Sequence, residues 1–165
     1  MLTIIIGPRA SGKTAYAIAK AEQYRQGWAT PWANISIKQA RGPGMAWRRW
    51  DQDRRPFSTT DSRETIVAII DTGTEPFLSS PGRGLDQIAI LDAHKGIVAA
   101  MAAAAMAQVF VVAQSLDTLP AWLVALPHSV IQTAYSPKSQ SVKATECVGV
   151  RDICRLYGEK EESKP

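Results

Sequence analysis

Cysteine and histidine are scarce, with two of each in 165 residues. Cys147 and Cys154 match no common zinc spacing and have no histidine pair beside them, so free thiols in a reducing compartment are expected, with a disulfide or half of a metal site as the alternatives. The chain also lacks any run of about 18 uninterrupted apolar residues, which excludes a membrane-spanning helix. Its opening, Met-Leu-Thr-Ile-Ile-Ile-Gly, has neither a basic n-region nor a cleavage site, so no secretory leader is read there and a cytoplasmic location is expected. No internal repeat or change of composition marks a second domain. One domain over 1–158 is expected, followed by a solvated tail over 159–165.

What is present describes a globular protein: 45% hydrophobic and 21% charged residues. The net charge is +4, and the tail after Gly158 carries three Glu against two Lys, which leaves the body nearer +5. So modest an excess suits a polyanionic partner and an ordinary soluble protein equally.

Residues 2–6 form a short apolar, β-branched run that reads as a buried parallel strand. A helix is expected from Gly12 to about Gln26, stopped by Gly27. Alternation over 33–38 predicts a second strand, and 39–60 reads as irregular. Asp61 and Glu64 suit a capping box, so 61–71 is read as helix, although Thr65–Ile70 is as strand-like. A loop over 72–86 leads to expected strands at 87–92 and 108–114, with a helix over 96–107 between them. A short helix near 119–126, a strand at 129–134, a small hairpin and a helical turn around 150–157 complete the reading. Apolar strands alternating with helices predict an α/β fold: a three-layer sandwich around a mainly parallel sheet of five or slightly more strands.

Gly7-Pro8-Arg9-Ala10-Ser11-Gly12-Lys13-Thr14 fits G-x-x-x-x-G-K-[ST], the phosphate-binding P-loop, and lies between a strand and a helix as that motif requires. Glycines let successive backbone N–H groups turn inward toward phosphate, and the following helix adds its positive end. Lys13 is expected on the β- and γ-phosphates of ATP, and the Thr14 hydroxyl on Mg²⁺.

A second carboxylate is needed to support the metal. Asp92 closes the apolar run 88–91 and precedes a helix, as a parallel crossover demands, so it is preferred over Asp71, which also follows an apolar run. No glutamate follows Asp92 to orient an attacking water. Ala93 and His94 stand there instead, which makes His94, Glu75 and Gln114 the candidates for that work. Gln114 closes a neighbouring strand and reads either as a γ-phosphate sensor or as an amide satisfying loop backbone.

Residues 45–55 mix Trp47 and Trp50 with Arg48, Arg49, Arg54 and Arg55. Arginine grips phosphate and tryptophan stacks on bases, so the segment reads as a nucleic-acid surface, as the source of an arginine finger, or as an insertion whose tryptophans pack on the body. Arg83 is a further finger candidate.

Thr14-Ala15-Tyr16-Ala17 through Gly27, followed by Ala33-Asn34-Ile35, resembles the opening of the Zot-like ATPases of filamentous phages. Ile88-Ala89-Ile90-Leu91-Asp92 with its helix, then Val109–Ser115 and Leu119-Pro120, is similar to the HerA–FtsK superfamily, whose fourth strand commonly ends in Gln before a leucine-proline helix start. The similarity spans roughly residues 1–135. Zot-like proteins carry a transmembrane segment that this chain lacks, so the chain looks more like the genome-packaging ATPases of tailless, membrane-containing viruses. That resemblance implies an ATP-hydrolysing motor with Mg²⁺, a homo-oligomeric ring moving double-stranded DNA, and a virion-associated or host-cytoplasmic setting. The same loop and Val112–Asp117 are also similar to thymidine kinases, which implies a small-molecule kinase as the alternative. The absent glutamate leaves a non-hydrolysing nucleotide-binding subunit as a third reading.

Overall fold

The computed structural model describes residues 1–38, 44–56, 65–73 and 85–147, the side chains of 85–87 excepted. Seven strands form one sheet, in the order β3-β2-β4-β5-β1-β6-β7. They are β1 (Leu2–Ile6), β2 (Thr30–Ala33), β3 (Arg48–Arg49), β4 (Ile66–Asp71), β5 (Ala107–Ala113), β6 (Ser129–Ser136) and β7 (Ser141–Cys147). All neighbours are parallel except β6 and β7, which form an antiparallel hairpin. The helices are α1 (Lys13–Gln26), α2 (Leu85–Ala103) and the single turn α3 (Ala121–Val124), preceded by a 3₁₀ turn at Leu116–Thr118.

β1, β4 and β5 occupy the middle of the sheet and are apolar on both faces, as strands covered by helices on both sides must be. One face holds Ile5, Val67, Ile69, Phe110 and Val112 against the Ala17–Ala21 stripe of α1. The other holds Ile4, Ile6, Ala68, Val109 and Val111 with Val98 and Met101 of α2 and Leu123 of α3. Burying an isoleucine such as Ile4 or Ile5 contributes about 1.5–3 kcal/mol, so these strands carry much of the stability. This is the three-layer α/β sandwich expected, with seven strands where five or slightly more were expected. No helix among the described residues is long and apolar enough to cross a membrane.

Several local expectations are corrected. Residues 87–92 are not a strand but the start of α2. An apolar run of this length does not distinguish strand from buried helix, and here the alanine-rich continuation sustains a helix whose buried positions, His94, Val98 and Met101, recur at helical spacing. Residues 66–71 are a strand, not a helix. Four β-branched residues, Ile66, Val67, Ile69 and Ile70, fill the slot between β2 and β5. The second strand lies at 30–33 rather than 33–38, because a left-handed residue just past α1, Trp28 (φ +72), turns the chain straight into the sheet. The expected helix over 96–107 begins earlier and stops at Ala103, the one near 119–126 shortens to 121–124, and the stretch expected to be irregular includes β3. Glu75, Arg83, Cys154, the capping box at 61–64, the turn around 150–157 and the tail lie outside the described residues.

Beyond β3, the Trp50 indole is buried and donates to Nδ1 of His94 on α2 at 3.1 Å. That nitrogen accepts only when unprotonated. Burial first, and the Arg55 charge second, lower the His94 pKa, while Asp51 raises it. The unfolded chain, with an ordinary histidine value of about 6.5, therefore takes up the proton more readily than the folded one. The resulting stabilisation is complete above that pH and is lost as pH falls through the folded value. Urea midpoints should accordingly drop on the acid side of about pH 6.5, and His94→Asn should flatten the dependence. An equally steep curve in the variant would assign it to other groups.

Candidate nucleotide site at the carboxyl edge of the sheet

The loop 7–12 leaves the end of β1 through backbone conformations that its glycines permit. Gly12 has φ +82, and a Cβ there would lie 2.2 Å from a Val142 methyl, so neither the conformation nor the space admits a side chain. Ala10 also has a positive φ, +61. The Gly7 N–H donates to the Gln114 carbonyl at 3.2 Å, which fixes the loop's entry to the end of β5. The first turn of α1 holds no carboxylate, and no side chain caps its amides. The positive end of that helix is thus left open to an anion.

Lys13 folds back over the loop, donating to the carbonyls of Gly7 at 2.8 Å and Pro8 at 2.7 Å. Burial lowers its pKa and the nearby Asp71 raises it. The ammonium is therefore partly stripped of water and held beside the loop by uncharged acceptors.

The residue across from Thr14 is Asp71. Thr14 Oγ1 donates to Asp71 Oδ2 at 2.7 Å, and the other carboxylate oxygen accepts the Gly73 N–H at 2.9 Å. The Asp71 main chain is clamped as well. The Asn34 side chain accepts the Asp71 N–H at 2.7 Å and donates to its carbonyl at 2.8 Å, extending the ladder one residue past the end of β2. The Thr72 N–H and hydroxyl both donate to the Val112 carbonyl, at 3.0 and 2.8 Å. Between loop and strand ends lies a cleft of about 590 Å³ lined by Arg9, Ala10, Lys13, Thr14, Asp71, Thr72, Gly73, Gln114 and their neighbours.

The expected loop residues and Gln114 are thus brought together at one edge. Asp92 is not with them. It sits on an exposed face of α2, 3.5 Å from Lys95, because the run it closes is helical. Asp71, ranked second from sequence, holds the position intended for Asp92. His94 is buried beside Trp50 and does not line the cleft. The arginine-bearing segment lies at the β3 edge, two strands beyond β4. Its tryptophans belong to the body: Trp47 Nε1 donates to Glu22 at 2.7 Å and Trp50 is buried, while Arg48, Arg49 and Arg54 are exposed and Arg48 lies over the Trp32 ring. Sequence reasoning gave no role to Asn34. It was read inside an expected strand over 33–38 and entered only as part of Ala33-Asn34-Ile35 in the Zot-like resemblance, whereas the strand ends at Ala33.

A mainly parallel sheet with G-x-x-x-x-G-K-T at the end of its first strand, and a strand-end aspartate bonded to that threonine, is the P-loop NTPase sandwich. No family model matches the chain, and no curated protein matches it. Among solved structures it is similar to the N-terminal domain of zonular occludens toxin from Neisseria meningitidis, with 16% identity over 95% of this chain and 98% of that one at a TM-score of 0.46. It is also similar to the genome packaging NTPase B204 from Sulfolobus turreted icosahedral virus 2 in complex with ATP-gammaS, with 12% identity over 90% of this chain and 98% of that one at a TM-score of 0.49.

Removing the Asn34 amide leaves the Asp71 N–H and carbonyl unpaired in a buried position. Asn34→Ala should therefore cost about 2–3 kcal/mol in urea denaturation. Asn34→Asp, which keeps an acceptor and loses the donor, should fall between the variant and the wild type.

Proposed function

We propose that the chain binds ATP through residues 7–14 and Asp71, hydrolyses it, and uses it to move double-stranded DNA as a homo-oligomeric ring of the genome-packaging kind. The observation that carries the nucleotide reading is the Thr14–Asp71 hydrogen bond of 2.7 Å beside Lys13 and the open amides of α1. A hydroxyl and a carboxylate this close form the hard oxygen pair that Mg²⁺ prefers, so Thr14 and Asp71 are the residues that would hold it. Bound Mg²⁺ neutralises charge on the phosphate oxygens. Lys13, held by the Gly7 and Pro8 carbonyls, would exchange them for phosphate oxygens. Gln114, exposed at the end of β5, is within the cleft to read the γ-phosphate.

Water activation is less well provided. Asp71 is the sole carboxylate lining the cleft among the described residues, and the residue after it is Thr72, whose hydroxyl is spent on Val112. The motor reading is supported by the resemblance of Val109–Ser115 and Leu119-Pro120 to the HerA–FtsK superfamily and by the exposed arginines at the β3 edge. With Trp47 and Trp50 packed into the body, contact there is to phosphates rather than to bases.

Lys13→Ala should weaken ATP binding about 100-fold, or ~2.7 kcal/mol. Asp71→Asn should abolish the dependence of binding on Mg²⁺, and Asp92→Asn should leave both unchanged. Titration of a fluorescent ATP analogue with and without Mg²⁺ decides this, and a loss confined to Asp92→Asn would reverse the assignment. For the motor, Arg49→Ala/Arg54→Ala should weaken duplex binding and reduce the salt slope by about two. Absence of both DNA binding and ATP turnover at low salt would sink the motor reading, and a phosphorylated nucleoside among the products would favour the kinase.

A further inference from the structure

Behind the phosphate loop, the hydroxyls of Ser11 and Thr133 meet at 2.9 Å, although 122 residues separate them. Both are buried, and neither lines the nucleotide cleft. Thr133 Oγ1 also donates to the Ile6 carbonyl at 3.3 Å. A threonine hydroxyl has one proton. With that proton on Ile6, the Ser11 hydroxyl donates to Thr133, and Ser11 is tied to β6 rather than aimed at a ligand. One side chain therefore grips the loop twice: at the Ile6 carbonyl where the loop begins, and at Ser11 just before Gly12.

The same hairpin closes on both motif glycines. A Cβ on Gly7 would lie 2.6 Å from the Thr133 carbonyl and 2.8 Å from its hydroxyl, and one on Gly12 would strike Val142 of β7. The β6–β7 hairpin is thus the wall against which the loop is bent. The loop carries positive φ at Gly7, Ala10 and Gly12, and its non-glycine left-handed residue is a conformation that surrounding structure must impose.

We propose that Thr133 is a positioning residue for nucleotide phosphates, holding the loop in its phosphate-binding curve before any ligand arrives. The inference rests on the nucleotide-binding reading above. A cradle already ordered binds phosphate without the entropy cost of shaping itself, so the hydroxyl acts on affinity without touching the ligand. Neutral hydroxyls achieve this without placing a charge behind the phosphates.

The test compares Thr133→Val, which keeps the shape and removes the hydroxyl, with Thr133→Ser, which keeps the hydroxyl. Ser11→Ala cuts one of the two ties from the loop side and leaves β6 intact, so it serves if the valine variant fails to fold. Two readouts are taken: ATP affinity by titration, and hydrogen exchange of the amides of 7–12 without nucleotide. Thr133→Val should bind ATP about tenfold more weakly and Thr133→Ser within about threefold of wild type. Loop exchange should rise in Thr133→Val and Ser11→Ala but not in Thr133→Ser. Serine failing to rescue, or valine and alanine variants with wild-type affinity and exchange, would overturn the proposal. Wild-type protein that binds no nucleoside triphosphate would instead overturn the nucleotide reading, and the exchange comparison would still decide whether Thr133 braces the loop.

Discussion

The hydrogen bond from Thr14 to Asp71 joins two parts of the chain 57 residues apart, across a strand that belongs to neither. β1, which feeds the phosphate loop, and β4, which ends in Asp71, do not pair, and β5 lies between them. The contact therefore exists only when β5 is seated in register with both, Ile6 beside Ala113 and Asp71 beside Val112. Every other feature of the edge follows from that seating. Gly7 bonds to Gln114, Thr72 bonds to Val112, and Asn34 clamps Asp71 from the strand beyond.

Two kinds of support keep this edge in shape. Apolar burial fixes the strands, since the central three are covered on both faces. Polar bonds fix the loops that leave them, because a loop at a sheet edge has no ladder of its own and must find partners for its buried groups. Asn34 and Thr133 fill this role from opposite sides, one for Asp71 at the end of β4 and the other for the loop 7–12. Both are short, neutral and buried, so they order the site without competing electrostatically with Lys13 or Asp71.

Arginine and tryptophan in 45–55 illustrate how composition misleads about availability. In sequence the cluster offers stacking surfaces and cations together. In the fold the tryptophans are engaged by α1 and α2, through Glu22 and His94, Arg48 lies over Trp32, and Arg49 and Arg54 are exposed. Buried indole contributes far more stability than exposed indole, so a domain of this size uses its tryptophans for packing where it can.

The sequence by itself determined the phosphate loop, the helix behind it, the α/β class, and strands expected at 2–6, 108–114 and 129–134, which the fold sets at Leu2–Ile6, Ala107–Ala113 and Ser129–Ser136. These are local matters: glycine spacing dictates backbone shape, and apolar β-branched runs dictate buried strands. It did not determine which of two apolar runs ending in aspartate is the strand. Ile66–Asp71 and Ile88–Asp92 look alike in hydrophobicity, and the β-branched excess of the first was the sole local hint. The tertiary structure decided it, because the slot between β2 and β5 takes one run and the crossover to β5 then has to be helical. Thr133 and Asn34 were illegible for the same reason: a threonine or asparagine acquires its role from what lies across the sheet, and nothing in its own neighbourhood records the partner.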